Sequence, residues 1–88
     1  MAIEGFKAYA PVFSDKTKAI ISLIRKTDYD MDANEIAAKL NLKSASVNGV
    51  ITRQTEYMQR EQLEDGRKVI VLTEAGKTAD LNAQREVS

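Results

Sequence analysis

A tight turn in the C-terminal third of the chain constrains the fold more than any other feature. Asp65-Gly66 lies between two β-prone runs in residues 58–73, MQREQLEDGRKVIVLT. An Asp-Gly pair in that setting is a strong hairpin signal, because both residues tolerate the left-handed backbone of a tight turn. The return strand begins at Lys68. The sequence therefore predicts a two-stranded β-hairpin at 58–73.

A short helix is predicted directly after the hairpin. Thr73 and Glu74 are typical of a helix start. The apolar content that follows is modest. We expect residues 74–88 to form a short helix and a tail, with the final segment NAQREVS frayed.

Ahead of the hairpin, a first helix begins at Ser14. Its hydroxyl is a suitable N-cap, and the carboxylate of Asp15 suits the positive end of the helix dipole. Apolar residues then recur at helical spacing: Ile20, Ile21 and Ile24. Residues 1–13 form an arm, with or without a helical turn. Its aromatic residues are expected to pack on the body or on a second subunit: Phe6, Tyr9 and Phe13.

The second and third helices are separated by a short turn. Asp32 and Glu35 form a capping-box pattern at the start of the second helix. Asn41 can adopt the left-handed conformation that ends it, and Leu42 then enters the core. Ser44 is the expected N-cap of the third helix, KSASVNGVITRQTEYM, at residues 43–58.

The third helix has one apolar face and one small, polar face. Val47, Val50 and Ile51 define the apolar face. No large apolar residue lies on the other, which carries Ala45, Ser46, Asn48, Gly49, Thr52, Arg53, Thr55 and Glu56. Gly49 costs the helix roughly 1 kcal/mol relative to Ala, a loss that is offset if another surface approaches the backbone closely.

Three helices followed by a hairpin is the order of a winged helix-turn-helix. The predicted fold class is α+β, a single domain at residues 1–88, with a three-helix core at 14–57 and the wing at 58–73. In such a domain the third helix enters the major groove of DNA, and the wing lies along the backbone or an adjacent minor groove.

Two segments resemble one family of transcription regulators. ANEIAAKLNLKSASVNGVITRQ is similar to the helix-turn-helix core of MarR-type winged-helix regulators, and DGRKVIVLTEAGK is similar to their wing and following helix. The resemblance covers about residues 17–79. It implies a dimeric protein that binds double-stranded DNA. The family's long flanking helices have only short counterparts here, and Met58 takes the place of a buried leucine.

The candidate DNA-binding residues lie on the third helix and the hairpin. Asn48 and Thr52 are candidates for contact with base edges, and Ser44 and Ser46 for a phosphate at the helix N-terminus. The full set is Lys43, Ser44, Ser46, Asn48, Thr52, Arg53, Arg60, Arg67 and Lys68.

The arginines each have an alternative role. Arg53 contacts a base or phosphate, or else pairs with a neighbour such as Glu56. Arg60 contacts the DNA backbone, or else forms a salt bridge across the hairpin. Arg67 and Lys68 contact phosphate or the minor groove, or else are solubilising charges on an edge hairpin.

Composition argues against an enzyme. The chain has no cysteine and no histidine, so it lacks thiolate chemistry, the commonest general base and the commonest transition-metal ligand. We expect no cofactor and no metal. The Asp-x-Asp-x-Asp run at 28–32 resembles the start of a calcium loop, but Ala33 and Lys39 occupy the positions of its glycine and its last glutamate.

The charge balance keeps a second function open. Thirteen basic and thirteen acidic residues cancel, whereas affinity for phosphate is mostly electrostatic. A winged-helix module that binds a protein of the transcription machinery, without touching DNA, is therefore the alternative. No apolar run approaches 18 residues and the N-terminus lacks the pattern of a secretion signal, so we expect a cytoplasmic protein without a membrane span.

Overall fold

Four helices and two antiparallel two-stranded sheets form residues 8–87, the part of the chain that the computed structural model describes. The elements in chain order are β1 (Tyr9–Pro11), α1 (Asp15–Lys26), α2 (Ala33–Leu40), α3 (Ser44–Arg53), β2 (Met58–Gln62), β3 (Lys68–Leu72), α4 (Glu74–Thr78) and β4 (Gln84–Glu86). Strand β2 pairs with β3, and β1 pairs with β4. This small α+β domain is compatible with a winged helix.

The predicted starts of α1 and α2 are confirmed. Ser14 Oγ accepts a hydrogen bond from the Thr17 amide at 3.2 Å. At α2, Asp32 Oδ1 accepts from the Glu35 amide at 2.8 Å and Glu35 Oε1 accepts from the Asp32 amide at 3.3 Å, which completes the capping box. Asn41 ends α2 with φ 56° and ψ 44°, the left-handed conformation expected of it.

Helix α3 differs from the prediction at both ends. Its N-cap is Lys43, without a side-chain capping bond, so the assignment of Ser44 as the cap was wrong. Ser44 is the first helical residue, and its hydroxyl donates to Asn34 Oδ1 on α2 at 2.7 Å. The helix ends at Arg53 and does not continue to Met58.

The return strand explains why α3 ends early. The Thr73 amide donates to the Tyr57 carbonyl at 3.0 Å, and the Thr73 hydroxyl donates to the Glu56 carbonyl at 2.6 Å. These two bonds hold the backbone at 56–57 in the geometry of a turn that leads into β2. A tertiary contact therefore outweighs the helical pattern of the segment.

The hairpin predicted at 58–73 is confirmed. Arg60 lies opposite Ile70 in the register of β2 and β3. The amide of Leu63 donates to the carbonyl of Arg67 at 2.8 Å, which leaves a three-residue loop with Gly66 at φ 89°. That backbone conformation favours glycine, and it suits a hairpin loop of this length.

The core lies between α1, α2, α3 and the inner face of the hairpin. Met58 is fully buried, as the sequence predicted. The Phe13 ring packs edge-on against Tyr57, with centroids 4.9 Å apart. The remaining buried apolar residues of this cluster are Ile20, Ile21, Leu23, Met31, Ile36, Ala37, Val47, Val50, Ile51 and Ile70.

The arm was predicted with or without a helical turn and the tail as frayed, and only the prediction for the tail was wrong. Both become strands, since Tyr9–Pro11 pairs with Gln84–Glu86 and the Val12 amide donates to the Ala83 carbonyl at 2.9 Å. Neither a helical turn in residues 8–13 nor a frayed end at 82–87 is observed. Phe13 packs on the body as expected, while Tyr9 is exposed. Phe6 lies outside the described residues.

Two contacts fix α4 against the rest of the molecule. A Cβ atom at Gly76 would overlap the carbonyl of Tyr57, so only glycine allows this approach. The Arg25 guanidinium, at the end of α1, donates to the Gly76 carbonyl at 2.9 Å and to the Ala79 carbonyl at 2.6 Å. Within residues 8–87, no helix has the length and apolar character needed to cross a membrane.

Candidate nucleic-acid interface

A side-chain hydrogen bond joins α3 to the hairpin. Arg60 Nη2 on β2 donates to Asn48 Oδ1 on α3 at 3.0 Å. The side-chain Nδ2 of Asn48 also donates to the Ser44 carbonyl at 3.1 Å, so both ends of the side-chain amide are held. Within residues 8–87, Arg60 forms no salt bridge across the hairpin, which was one of its two predicted roles. The other, contact with the DNA backbone, stays a prediction.

A cleft of about 260 Å³ lies between the start of α2, the outer side of α3 and the hairpin. Arg60 and Lys68 occupy one face of the hairpin and bring two cations to it. Asn48 supplies an amide from α3. The other lining residues are Asp32, Ala33, Asn34 and Ile70. The cleft thus combines positive charge with hydrogen-bond donors, the chemistry that phosphate oxygens and base edges require.

The tip of the hairpin reaches the start of α2. Arg67 Nη2 lies 3.0 Å from Glu35 Oε1, with side chains that are 47% and 40% exposed. Exposed ion pairs of this kind contribute at most about 1 kcal/mol to stability. Glu35 therefore positions Arg67 and partly neutralises its charge. Breaking this pair costs little free energy, so another anion can replace the Glu35 carboxylate.

Arg53 does not form the alternative pair with Glu56. Its guanidinium extends back over Gly49, where an added Cβ would lie 3.3 Å from Arg53 Nη1. Within residues 8–87, no carboxylate forms an ion pair with Arg53. Gly49 thus leaves room for an unpaired cation on the outer face of α3.

The remaining predicted residues differ in position. Thr52 is exposed, and its hydroxyl donates to the Asn48 carbonyl at 2.9 Å, one turn back on the same face. Lys43 is exposed at the N-cap. Ser46 lies roughly 160° around the helix from Asn48, so it faces away from the hairpin. The structure therefore does not bring Ser46 into the cluster.

Asn34 was missed by the sequence prediction. It is exposed in the first turn of α2, lines the cleft and accepts the hydrogen bond from Ser44 Oγ. The sequence did contain a signal for Asn34. It is a polar residue two positions after the Asp32 cap, on the helix that precedes and approaches α3. Glu35 was assigned only a capping role, and its pairing with Arg67 was also missed.

Strand register separates charges of opposite sign. Arg60 and Lys68 line the cleft beside α3, whereas Glu61 lines a different cleft with Asp28 and Asp30. Successive residues of a strand project to opposite faces, so neighbouring charges in the sequence reach opposite surfaces. A neutral chain can therefore present a basic surface.

The second helix carries one further cation. Lys39 Nζ lies 5.6 Å from the centroid of the Tyr29 ring. A side-chain hydrogen bond with the Tyr29 hydroxyl raises the pKa of Lys39. It lies outside the cleft beside α3.

The arrangement can bind anions and donate hydrogen bonds. Within residues 8–87, no group of three or more carboxylate, thiol or imidazole side chains is placed to hold a metal ion. No protein-family model, no curated protein and no solved structure matches this chain.

Proposed function

We propose that this protein is a winged helix-turn-helix transcriptional regulator that binds double-stranded DNA sequence-specifically. Helix α3 enters the major groove, and the β2–β3 hairpin acts as the wing on the backbone or minor groove. The observation that carries the proposal is the Arg60–Asn48 hydrogen bond. It joins the two elements that a winged helix applies to DNA into one surface.

The shape of α3 supports this role. Ten residues give a helix roughly 15 Å long, and the major groove is roughly 12 Å wide. The outer face carries Gly49 and Thr52, with no large apolar side chain between them. The backbone of α3 can therefore approach the base edges closely, with Asn48 and Arg53 in reach of donors and acceptors there.

The charges around α3 also support it. The cations on this side are Lys43, Arg53, Arg60, Arg67 and Lys68. Of the carboxylates on this side, Asp32 and Glu35 are engaged in the capping box, and Asp65 at the hairpin tip accepts a hydrogen bond from the Arg67 backbone amide. A site with this few cations binds DNA weakly, so we propose that a homodimer on neighbouring half-sites increases affinity through avidity.

The resemblance to MarR-type regulators supports the same conclusion. The segment LTEAGK contains the residues that attach α4 to the hairpin: Thr73 caps α4 through the Gly76 amide at 3.1 Å, and Gly76 allows contact with Tyr57. The resemblance therefore coincides with a packing unit. We propose a cytoplasmic location, where such a regulator meets DNA.

A second cleft, lined by acidic residues and by no residue of α3, favours the alternative. It brings Asp28, Asp30 and Glu61 together, which suits a basic protein partner and repels DNA. Under this alternative the protein acts on the transcription machinery or another assembly without binding DNA.

Fluorescence anisotropy with a labelled random duplex distinguishes the two. A DNA-binding protein gives saturable binding at low salt, and the logarithm of its binding constant falls linearly with the logarithm of the salt concentration. Arg53→Ala lowers the affinity, whereas Arg85→Ala removes the same charge from β4 and leaves it unchanged. Absence of binding at low salt, or equal loss from both variants, rejects the assigned surface.

A further inference from the structure

The outer edge of β3 has open backbone hydrogen-bonding groups. At the two ends of the hairpin, the Leu63 amide donates to the Arg67 carbonyl and the Thr73 amide donates to the Tyr57 carbonyl. Because antiparallel pairing alternates, the odd-numbered residues of β3 bond to β2. The backbone groups of Ile70 and Leu72 therefore point away from β2.

Only part of that edge is used by the protein itself. The Ile70 amide donates to the Met31 carbonyl at 2.8 Å. The Leu72 amide follows on the same edge, and within residues 8–87 it donates to no acceptor. An open strand edge is a template for a further strand. Because the Ile70 amide is engaged, the open groups on this edge within residues 8–87 are the Ile70 carbonyl and the Leu72 amide.

A cleft of about 820 Å³ lies along this edge. The end of α1, the loop at 27–31 and strand β3 enclose it. Ile24, Val71 and Leu72 give it an apolar, half-buried lining. The cleft is large enough for side chains of an extended segment beside the strand.

The charge of the cleft is negative. Asp28, Asp30 and Glu61 line it, and within residues 8–87 none of them forms an ion pair. Two cations also line the cleft, so three carboxylates outnumber them by one. Arg25 donates to the carbonyls at the end of α4, and Lys77 pairs with Glu74 at 3.6 Å. The cleft therefore has acidic groups that an incoming cation can neutralise.

We propose that this cleft binds an extended segment of a partner protein, in which basic residues alternate with apolar ones. The segment adds a strand to β3 through the Ile70 carbonyl and the Leu72 amide, the two open groups of this edge. Strand side chains have a period of two. Alternation therefore places basic side chains on the face of Val71, to which Glu61 also projects, and apolar side chains on the other face beside Leu72 and Ile24. No residue of α3 lines the site, so the proposal holds whether or not α3 binds DNA.

A synthetic peptide provides the test. The probe is acetyl-Lys-Val-Lys-Val-Lys-Val-amide, added to the ¹⁵N-labelled full chain. We expect amide shifts at Ile70, Val71 and Leu72 and around Asp28 and Asp30, with slower hydrogen exchange of the Leu72 amide. The same peptide with every backbone nitrogen methylated keeps its charge and side chains but cannot pair as a strand, so it binds at least about tenfold more weakly.

Matched variants identify the role of the rim. The triple variant Asp28→Asn, Asp30→Asn, Glu61→Gln weakens peptide binding by about tenfold. The control triple Asp15→Asn, Glu56→Gln, Glu64→Gln changes the net charge equally and leaves binding unchanged. The proposal is overturned if the peptide causes no amide shifts on β3, or if the methylated peptide binds equally well. It is also overturned if sedimentation shows a dimer of this chain and the peptide causes no shifts because the second copy already covers the cleft.

Discussion

Arg60 on β2 and Asn48 on α3 share a hydrogen bond of 3.0 Å across twelve residues of sequence. The Asn48 side chain is fixed at its other end by the Ser44 carbonyl. The position of the hairpin is therefore tied to the outer face of α3 by an exposed polar contact. If α3 binds DNA, this contact sets where the wing lies relative to the groove.

Asn48 and Arg60 should not act independently. Asn48→Ala and Arg60→Ala each weaken DNA binding, because each removes a donor and releases the other side chain. The double variant loses less than the sum, with a coupling of about 0.5–1 kcal/mol. Anisotropy titrations of all four proteins at one salt concentration measure this, and strictly additive losses would show that the contact does not organise the interface.

Gly49→Ala separates stability from binding. Alanine raises the free energy of unfolding by up to about 1 kcal/mol, since the new Cβ meets only the flexible end of Arg53 at 3.3 Å. The same methyl group stands on the face that we place in the groove, so DNA affinity falls. Urea denaturation and anisotropy together test this, and a variant that is more stable with unchanged affinity argues against close approach of α3.

Glu35 and Arg67 make opposite contributions to DNA binding. Arg67→Ala weakens binding to all sequences and lowers the slope of log affinity against log salt by about 1. Glu35→Gln preserves the capping box, in which glutamine also serves, and frees Arg67. We expect it to tighten binding by up to about fivefold. Salt titrations of both variants supply the measurement, and tighter binding by Arg67→Ala would contradict the assignment.

Gly76→Ala tests the packing of α4. The added Cβ would overlap the Tyr57 carbonyl, and backbone rather than a flexible side chain must move. We expect a loss of about 2 kcal/mol or more in the free energy of unfolding. Gly49→Ala is the matched control, with the opposite sign of effect. Equal urea midpoints for Gly76→Ala and the unaltered protein would contradict the contact.

Arg25→Ala tests the clamp between α1 and α4. It removes charge-assisted hydrogen bonds to the Gly76 and Ala79 carbonyls, which contribute about 1–2 kcal/mol to stability. Arg85→Ala removes an arginine on β4 and is expected to change stability little. Thermal unfolding followed by circular dichroism compares them, and the clamp is rejected if the two variants melt together.

Local structure could be predicted from neighbouring residues. The caps at Ser14 and Asp32, the left-handed Asn41 and the turn at Gly66 each depend on side chains or backbone within about four positions. Such preferences act before the chain has folded, because the interacting groups are always close. The same holds for the apolar face of α3, whose spacing alone places Val47, Val50 and Ile51 in the core.

Tertiary structure decided what depends on groups far apart in the chain. The amino-acid sequence determined the helices, the hairpin and the residue types available at the candidate site. Only the fold decided that α3 stops before Tyr57, that the two chain ends pair as strands, and that Arg60 meets Asn48. These outcomes depend on backbone carbonyls and side chains brought together by burial of a common core, and no local spacing encodes that proximity.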